Sequence, residues 1–199
     1  PDHKTIAEFR RKNREAIVKV LKQTVRLCLK MNLVEGNCLF VDSTRIRGAA
    51  SIGETKSKEK WEKKLTELDK QIEEILDKCE EIDEEESGSL VKVLKGKEKL
   101  KEKVTGLIKQ MEDEKREKIN GTDTDSVNFK GRQGSHAGYS AHITVDEKHG
   151  LIVNADTVSE ANDSGQFSRQ IKQAEETVGR ECITAVADAG YSDVTDIKE

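Results

Sequence analysis

The chain has 199 residues, of which 37% are charged and 34% apolar, with a formal net charge of −4. That is too little hydrophobe for one compact core over the whole length, so part of the chain is expected to be a solvated helical extension. No apolar run approaches the roughly 18 residues of a membrane span and no signal peptide is present, so a cytoplasmic protein is expected, neither secreted nor membrane-bound.

The net charge hides an asymmetry. Residues 1–54 carry 11 Lys and Arg against 6 Asp and Glu, residues 55–119 carry 17 against 19, and residues 120–199 carry 7 against 14. A basic first segment beside an acidic last one suits a polyanion-binding protein with a cation site, although ordinary solvated surface accounts for it equally well. The four cysteines, Cys28, Cys38, Cys79 and Cys182, form no C-x-x-C pair and each lies in an apolar stretch. They are expected to be reduced thiols and not zinc ligands. A first residue of Pro1, where a start would be Met, points to an excised piece.

Thr5 to about Asn32 has the period of one helix, with Ile17, Leu21, Val25 and Cys28 on one face and Arg and Lys on the other. Thr5 and Glu8 have the spacing of a capping box. Glu35-Gly36-Asn37 supplies a turn, and the run Cys38-Leu39-Phe40-Val41-Asp42 follows as a buried strand ending in an acid. Over 57–86, Trp61, Leu65, Leu68, Ile72, Ile75, Cys79 and Ile82 recur at alternating steps of four and three, a heptad pattern broken by the acidic run 83–89. A second amphipathic helix with Leu100, Val104, Leu107, Ile108 and Met111 runs to Asn120-Gly121, so an antiparallel coiled-coil hairpin is expected.

From 138 the period becomes two. Tyr139, Ala141, Ile143 and Val145 alternate with small or polar residues, Asp146 to Gly150 make a turn, and 151–158 return as a second strand. Residues 163–179 have a helix period with Phe167, Ile171, Ala174 and Val178 inward and Gly179 as its stop. The apolar run Ile183-Thr184-Ala185-Val186-Ala187 then ends in Asp188.

Asp42 and Asp188 therefore sit at the ends of two strands 146 positions apart. A strand-end carboxylate alone is most often a turn cap. Two that converge are what a hard divalent cation needs. With 55–120 set aside, the order is that of an incomplete ribonuclease H-like α/β fold: three antiparallel strands, a helix, and a fourth strand beside the first. The expected organisation is a helical segment 1–37, a core of 38–54 and 121–199, and a helical insertion 55–120.

Five blocks in this order resemble the DDE transposases of bacterial insertion sequences: residues 1–11, Val41-Asp42-Ser43-Thr44-Arg45-Ile46-Arg47, residues 122–126 with Gly138-Tyr139, Lys148 to Val153, and Ala187-Asp188-Ala189-Gly190-Tyr191. The resemblance implies DNA strand cleavage and transfer, with Asp42 and Asp188 as catalytic acids holding two magnesium or manganese ions. It also implies an oligomer of like chains acting on DNA, in the cytoplasm with the nucleoid.

One departure matters. No tyrosine–arginine–glutamate spacing matches the family's third acid, and Glu199 lacks the surroundings of one, so a fragment inactive alone is expected. Arg45 and Arg47, and the run Arg10-Arg11-Lys12, are candidates for phosphate contacts, with solvated surface as the alternative. Asp123 and Asp125 are expected to cap the turn into the second strand. His136, His142 and His149 have no partner at ligand spacing and are expected at the surface, and Gly190-Tyr191 is expected to set the turn after the last strand. The competing readings are a non-catalytic self-association module built on the hairpin, and a nuclease of the same fold.

Overall fold

The structure is a computed structural model that describes residues 2–80, 88–131 and 134–197. The heptad residue Ile82, most of the acidic run after it and Glu199 lie outside the described residues. The chain divides into two units, Pro1–Ile46 with Tyr139–Glu199, and Arg47–Gly138.

The first unit opens with two helices where the sequence period predicts one: α1 (His3–Lys12) and α2 (Arg14–Lys30). The break is at Asn13 (φ −114°, ψ 21°), whose backbone N–H and side-chain amide both donate to Phe9 O, at 3.0 and 2.8 Å. The N-cap is Asp2, not Thr5: its carboxylate accepts from the Thr5 N–H at 2.8 Å.

Strand β1 (Cys38–Arg47) runs parallel to β7 (Thr184–Ala187), with Val41 opposite Ala187. On its other side lies β5 (Gly134–Asp146), which pairs in turn with β6 (Ile152–Val158). The Glu147 N–H donates to Cys38 O and the Gly48 N–H to Ala137 O, so β5 runs antiparallel to β1. The strand order of this mixed α/β sheet is therefore β6-β5-β1-β7. Asp146, buried at the end of β5, accepts from the Glu35, Gly36 and Lys148 N–H groups and so ties the turn before β1 to the β5–β6 turn.

Helix α5 (Phe167–Val178) and α2 cover one face of this sheet. Val25, Leu39, Val41, Val153, Ile171, Ala174 and Tyr191 make the core there. Gly179, left-handed at φ 83°, ends α5 as its position in the sequence predicts. The N-terminus of α5 lies four residues beyond the expected one. Gln166 supplies no side-chain cap, and Asp196 on the short helix α6 (Val194–Ile197) accepts from the Phe167 and Ser168 N–H groups instead.

Alternation along β5 holds, but its buried face is the polar one. Ser140, His142, Thr144 and Asp146 are shut from solvent, while Ile143 is 36% exposed. The opposing residues are polar too: Asn154 on β6 and Gln170 on α5 are buried and hydrogen-bonded to each other at 3.0 Å. A buried polar patch under α5 thus sits beside the aliphatic core there.

In the second unit α3 (Lys58–Glu80) and α4 (Gly88–Asp113) pair antiparallel, since Lys58 bonds Glu112 and Lys101 bonds Asp69. Trp61, Leu65 and Leu68 pack on Leu100, Val104, Leu107, Ile108 and Met111; Ile72, Ile75 and Cys79 are only half-buried. α4 stops at Asp113, not at Asn120. Lys115 adopts a positive φ of 53° and the Arg116 N–H returns to Met111 O, closing the helix early. The freed residues form β3 (Lys118–Asn120), antiparallel to β2 (Thr55–Ser57), and Ile119 joins the hairpin core. The following turn is capped by Asn120, whose Oδ1 accepts from the Thr122 and Asp123 N–H groups. A further strand, β4 (Val127–Gly131), pairs with the first residues of β5.

Candidate functional site

The site is assembled by one register. Because Val41 and Ala187 are partners in a parallel ladder, the next residues, Asp42 and Asp188, are neighbours; Asp188 follows the last residue of β7, but Asp42 is not the strand end that the apolar run predicts, because β1 continues to Arg47. Neighbouring strands lie about 4.8 Å apart, so the two carboxylates start from neighbouring backbone positions. Leu39 and Val41 enter the core, as do Ala185 and Ala187. Alternation therefore turns Asp42 to the face away from α2 and α5, while Asp188, just past the end of β7, borders a cleft with Phe167 of α5.

Both carboxylates are exposed. Asp42 Oδ1 accepts from the Ser43 N–H at 2.7 Å, and Asp188 Oδ1 accepts from the Gly190 N–H at 2.9 Å. Asp188 thereby caps a 3-10 turn, Ala189–Tyr191. Each acid keeps its second oxygen out of these backbone bonds. Gly190 leaves room for this approach: a Cβ there would stand 3.0 Å from Asp188 Oδ1 and 3.7 Å from Asp163 Oδ2. Asp163, in the loop before α5, thus flanks the same glycine as Asp188, and periodicity gave no sign of it.

Within the turn that Asp188 caps lies Tyr191, which is 2% exposed. Its hydroxyl is 2.7 Å from Nδ1 of His142, and its ring stands edge-on to His142 and Phe167. Burial pushes the Tyr191 hydroxyl up to about 12, so it stays protonated. Ser43 pulls the phenol's pKa down, while Asp163, Asp42 and Asp188 push it up. His142 is not at the surface as its sequence context predicts; it is fully buried. Its Nε2 has no hydrogen-bond partner and faces Asp163 Oδ1 at 3.7 Å. Burial holds the imidazole below its usual range, against the opposing pull of Asp163, Asp156 and Glu160. A shallow cleft opens beside Asp188, lined by Phe167, Ala185, Ala187 and Tyr191.

The donor chemistry at Asp42 and Asp188 suits a hard cation. Magnesium is held by one or two carboxylates and completes its shell with waters and phosphate oxygens. Among the described residues no group of three or more His, Cys, Asp or Glu stands close enough to hold a metal ion by itself. The basic candidates fall in two places. Arg45 and Arg47 are exposed on β1 beyond Asp42, and Arg10, Arg11 and Lys12 form the exposed last turn of α1, where Lys12 pairs with Glu8 at 2.8 Å. The cysteines are free and half-buried. No helix among the described residues is long and apolar enough to cross a membrane. No protein-family model, curated protein or solved structure matches the chain.

Proposed function

We propose that the chain is part of a DDE transposase of the insertion-sequence kind, a ribonuclease H-like enzyme that cuts and transfers DNA strands with magnesium or manganese, and that it is inactive alone for want of a third acid. The observation that carries this reading is the β1–β7 register, which makes Asp42, within β1, and Asp188, just past β7, neighbours across 146 residues. The strand order β6-β5-β1-β7 supports it as well.

In this reading Asp42 and Asp188 hold the divalent ions. A bound ion there supplies charge stabilisation on the oxygens of a DNA phosphodiester. The chain's own part is placement. The backbone N–H groups of Ser43 and Gly190 orient one oxygen of each carboxylate, and the other oxygen is left for the cation. Arg45 and Arg47 lie on the strand that carries Asp42, where they would meet backbone phosphates without reading sequence; Arg10, Arg11 and Lys12 would add a second phosphate contact.

Calorimetric titration of magnesium or manganese into the wild-type chain and an Asp42→Ala/Asp188→Ala variant tests the reading. Heat of binding in the first and none in the second is the expected result. Identical heats in both would remove the metal role.

A second reading, self-association through the helical pair, draws on one observation. Leu76, Val91 and Val93 in the distal parts of α3 and α4 are exposed large hydrophobes. Replacing Leu76 and Val93 by Glu would then convert a dimer to a monomer on a sizing column, and an unchanged elution volume would count against it.

A further inference from the structure

Asp163 lies in the loop between β6 and α5, and that loop is held from two sides. The Ser164 hydroxyl donates to Asp193 Oδ2 at 3.1 Å, which ties the loop to the segment that follows Asp188. Asp163 itself reaches β5: its Oδ1 accepts from the Ser140 hydroxyl at 3.4 Å and faces His142 Nε2 at 3.7 Å.

His142 gives the second contact a direction. The residue is 0% exposed, and its Nε2 has no hydrogen-bond partner. On the other side of the ring, Nδ1 is 2.7 Å from the Tyr191 hydroxyl. With the phenol donating to Nδ1, the one proton of the neutral ring sits on Nε2 and points at Asp163. In the opposite tautomer a lone pair would face the carboxylate and repel it. Asp163 Oδ1 is therefore turned to the interior. Its other oxygen, Oδ2, stands 3.7 Å from the place a Gly190 Cβ would occupy, and Asp188 Oδ1 stands 3.0 Å from the same place.

We propose that Asp163 is a further carboxylate of the Asp42–Asp188 cation site, positioned by His142 and Ser140 and reaching the ion through the ion's own waters. This deepens the metal reading and rests on it. Among the described residues no three acids stand close enough to hold one ion directly, so Asp163 does not replace the absent third acid. Magnesium keeps several of its waters when carboxylates bind it, and an acid beside those ligands accepts hydrogen bonds from them. The Asp163 side chain is 22% exposed, so water reaches it although one oxygen is pinned. Two carboxylates turned to one point repel each other, and a cation nearby removes that cost.

Titration of Mg²⁺ into the wild-type chain, read at the side-chain carboxyl carbons by NMR, tests the proposal. Asp42, Asp188 and Asp163 should move along one binding curve, while Glu160, an exposed acid of the same loop, should not move. In calorimetry with Mn²⁺, Asp163→Asn should bind about ten-fold more weakly, the usual loss when a partner around the ligands is removed. Glu160→Gln should bind as the wild-type chain does. Unmoved Ile171 and Ala174 amides would show that Asp163→Asn is folded.

Movement of Asp42 and Asp188 without Asp163 would overturn the proposal and leave the metal reading standing. Movement of neither Asp42 nor Asp188 would overturn both. Equal affinities in folded Asp163→Asn and Glu160→Gln would also overturn it, since Asp163 would then be one surface charge among many. If Asp163→Asn does not fold, the carboxyl shifts of the wild-type chain decide alone.

Discussion

The Tyr191 hydroxyl stands 2.7 Å from His142 Nδ1, and the two residues are 2% and 0% exposed. A histidine buried so completely is held neutral by desolvation, its pKa lowered despite Asp163, Asp156 and Glu160, with Arg169 reinforcing the shift. The unfolded chain titrates this residue near 6.5, so just below that pH it binds a proton that the folded chain refuses. His142 therefore leaves stability intact above about pH 6.5 and erodes it as the pH falls toward the lowered folded pKa. Denaturation midpoints should drop between pH 7.5 and 5.5, and the drop should shrink in His142→Gln. An equal drop in both chains would mean that His142 is not the group responsible. The lowered carboxylates Asp2, Glu35, Glu54 and Asp193 act at lower pH, where their stabilisation is lost by protonation.

Asp196 caps a helix that begins 29 residues earlier, accepting from the Phe167 N–H at 2.8 Å. Asp196→Ala should cost about 1 kcal/mol, the usual loss of a capping carboxylate. Hydrogen exchange at the Phe167 and Ser168 amides should quicken, while that at Ala174 should not. Unchanged exchange at those two amides would exclude the capping role.

Trp61 is the chain's one tryptophan, 2% exposed, with its indole N–H donating to Ile119 O at 3.3 Å. A Cβ added at Gly121 would come within 2.6 Å of the Trp61 ring. Gly121→Ala should therefore push the indole outward and red-shift its fluorescence. Trp61→Ala should cost about 3–5 kcal/mol, as for large buried aromatics. Wild-type emission from Gly121→Ala would show that the ring does not pack against this turn.

Arg10, Arg11 and Lys12 bear on the DNA reading. If they neutralise phosphates, replacing all three by Ala should weaken binding to any duplex. The slope of log K against log salt should also flatten by roughly 0.9 for each phosphate no longer neutralised. An unchanged slope would return them to the role of a solvated helix end.

What the sequence made legible follows from local pattern. The apolar runs 38–41 and 183–187, each followed by an acid, made strands β1 and β7 and the placement of Asp188 legible, but the sequence ended β1 at Asp42, whereas the strand runs on to Arg47. α5 announced its end through Gly179. Features set by distant partners were hidden. His142 looked like a strand-edge residue because the polar patch that buries it comes from β6 and α5. The cap of α5 comes from Asp196, far along the chain. The break at Asn13 falls within an unbroken apolar period. β3 and β4 are too short for alternation to reveal, and Asp163 becomes notable only through its place beside Gly190 and His142.

The central claim, that Asp42 and Asp188 form one cation site, is tested most directly by paramagnetic broadening with substoichiometric Mn²⁺. The account predicts that the Ser43 and Gly190 amides broaden first in the wild-type chain, and that this selectivity disappears in Asp42→Asn/Asp188→Asn. Broadening centred elsewhere, or the same at Ser43 and Gly190 in both chains, would contradict it.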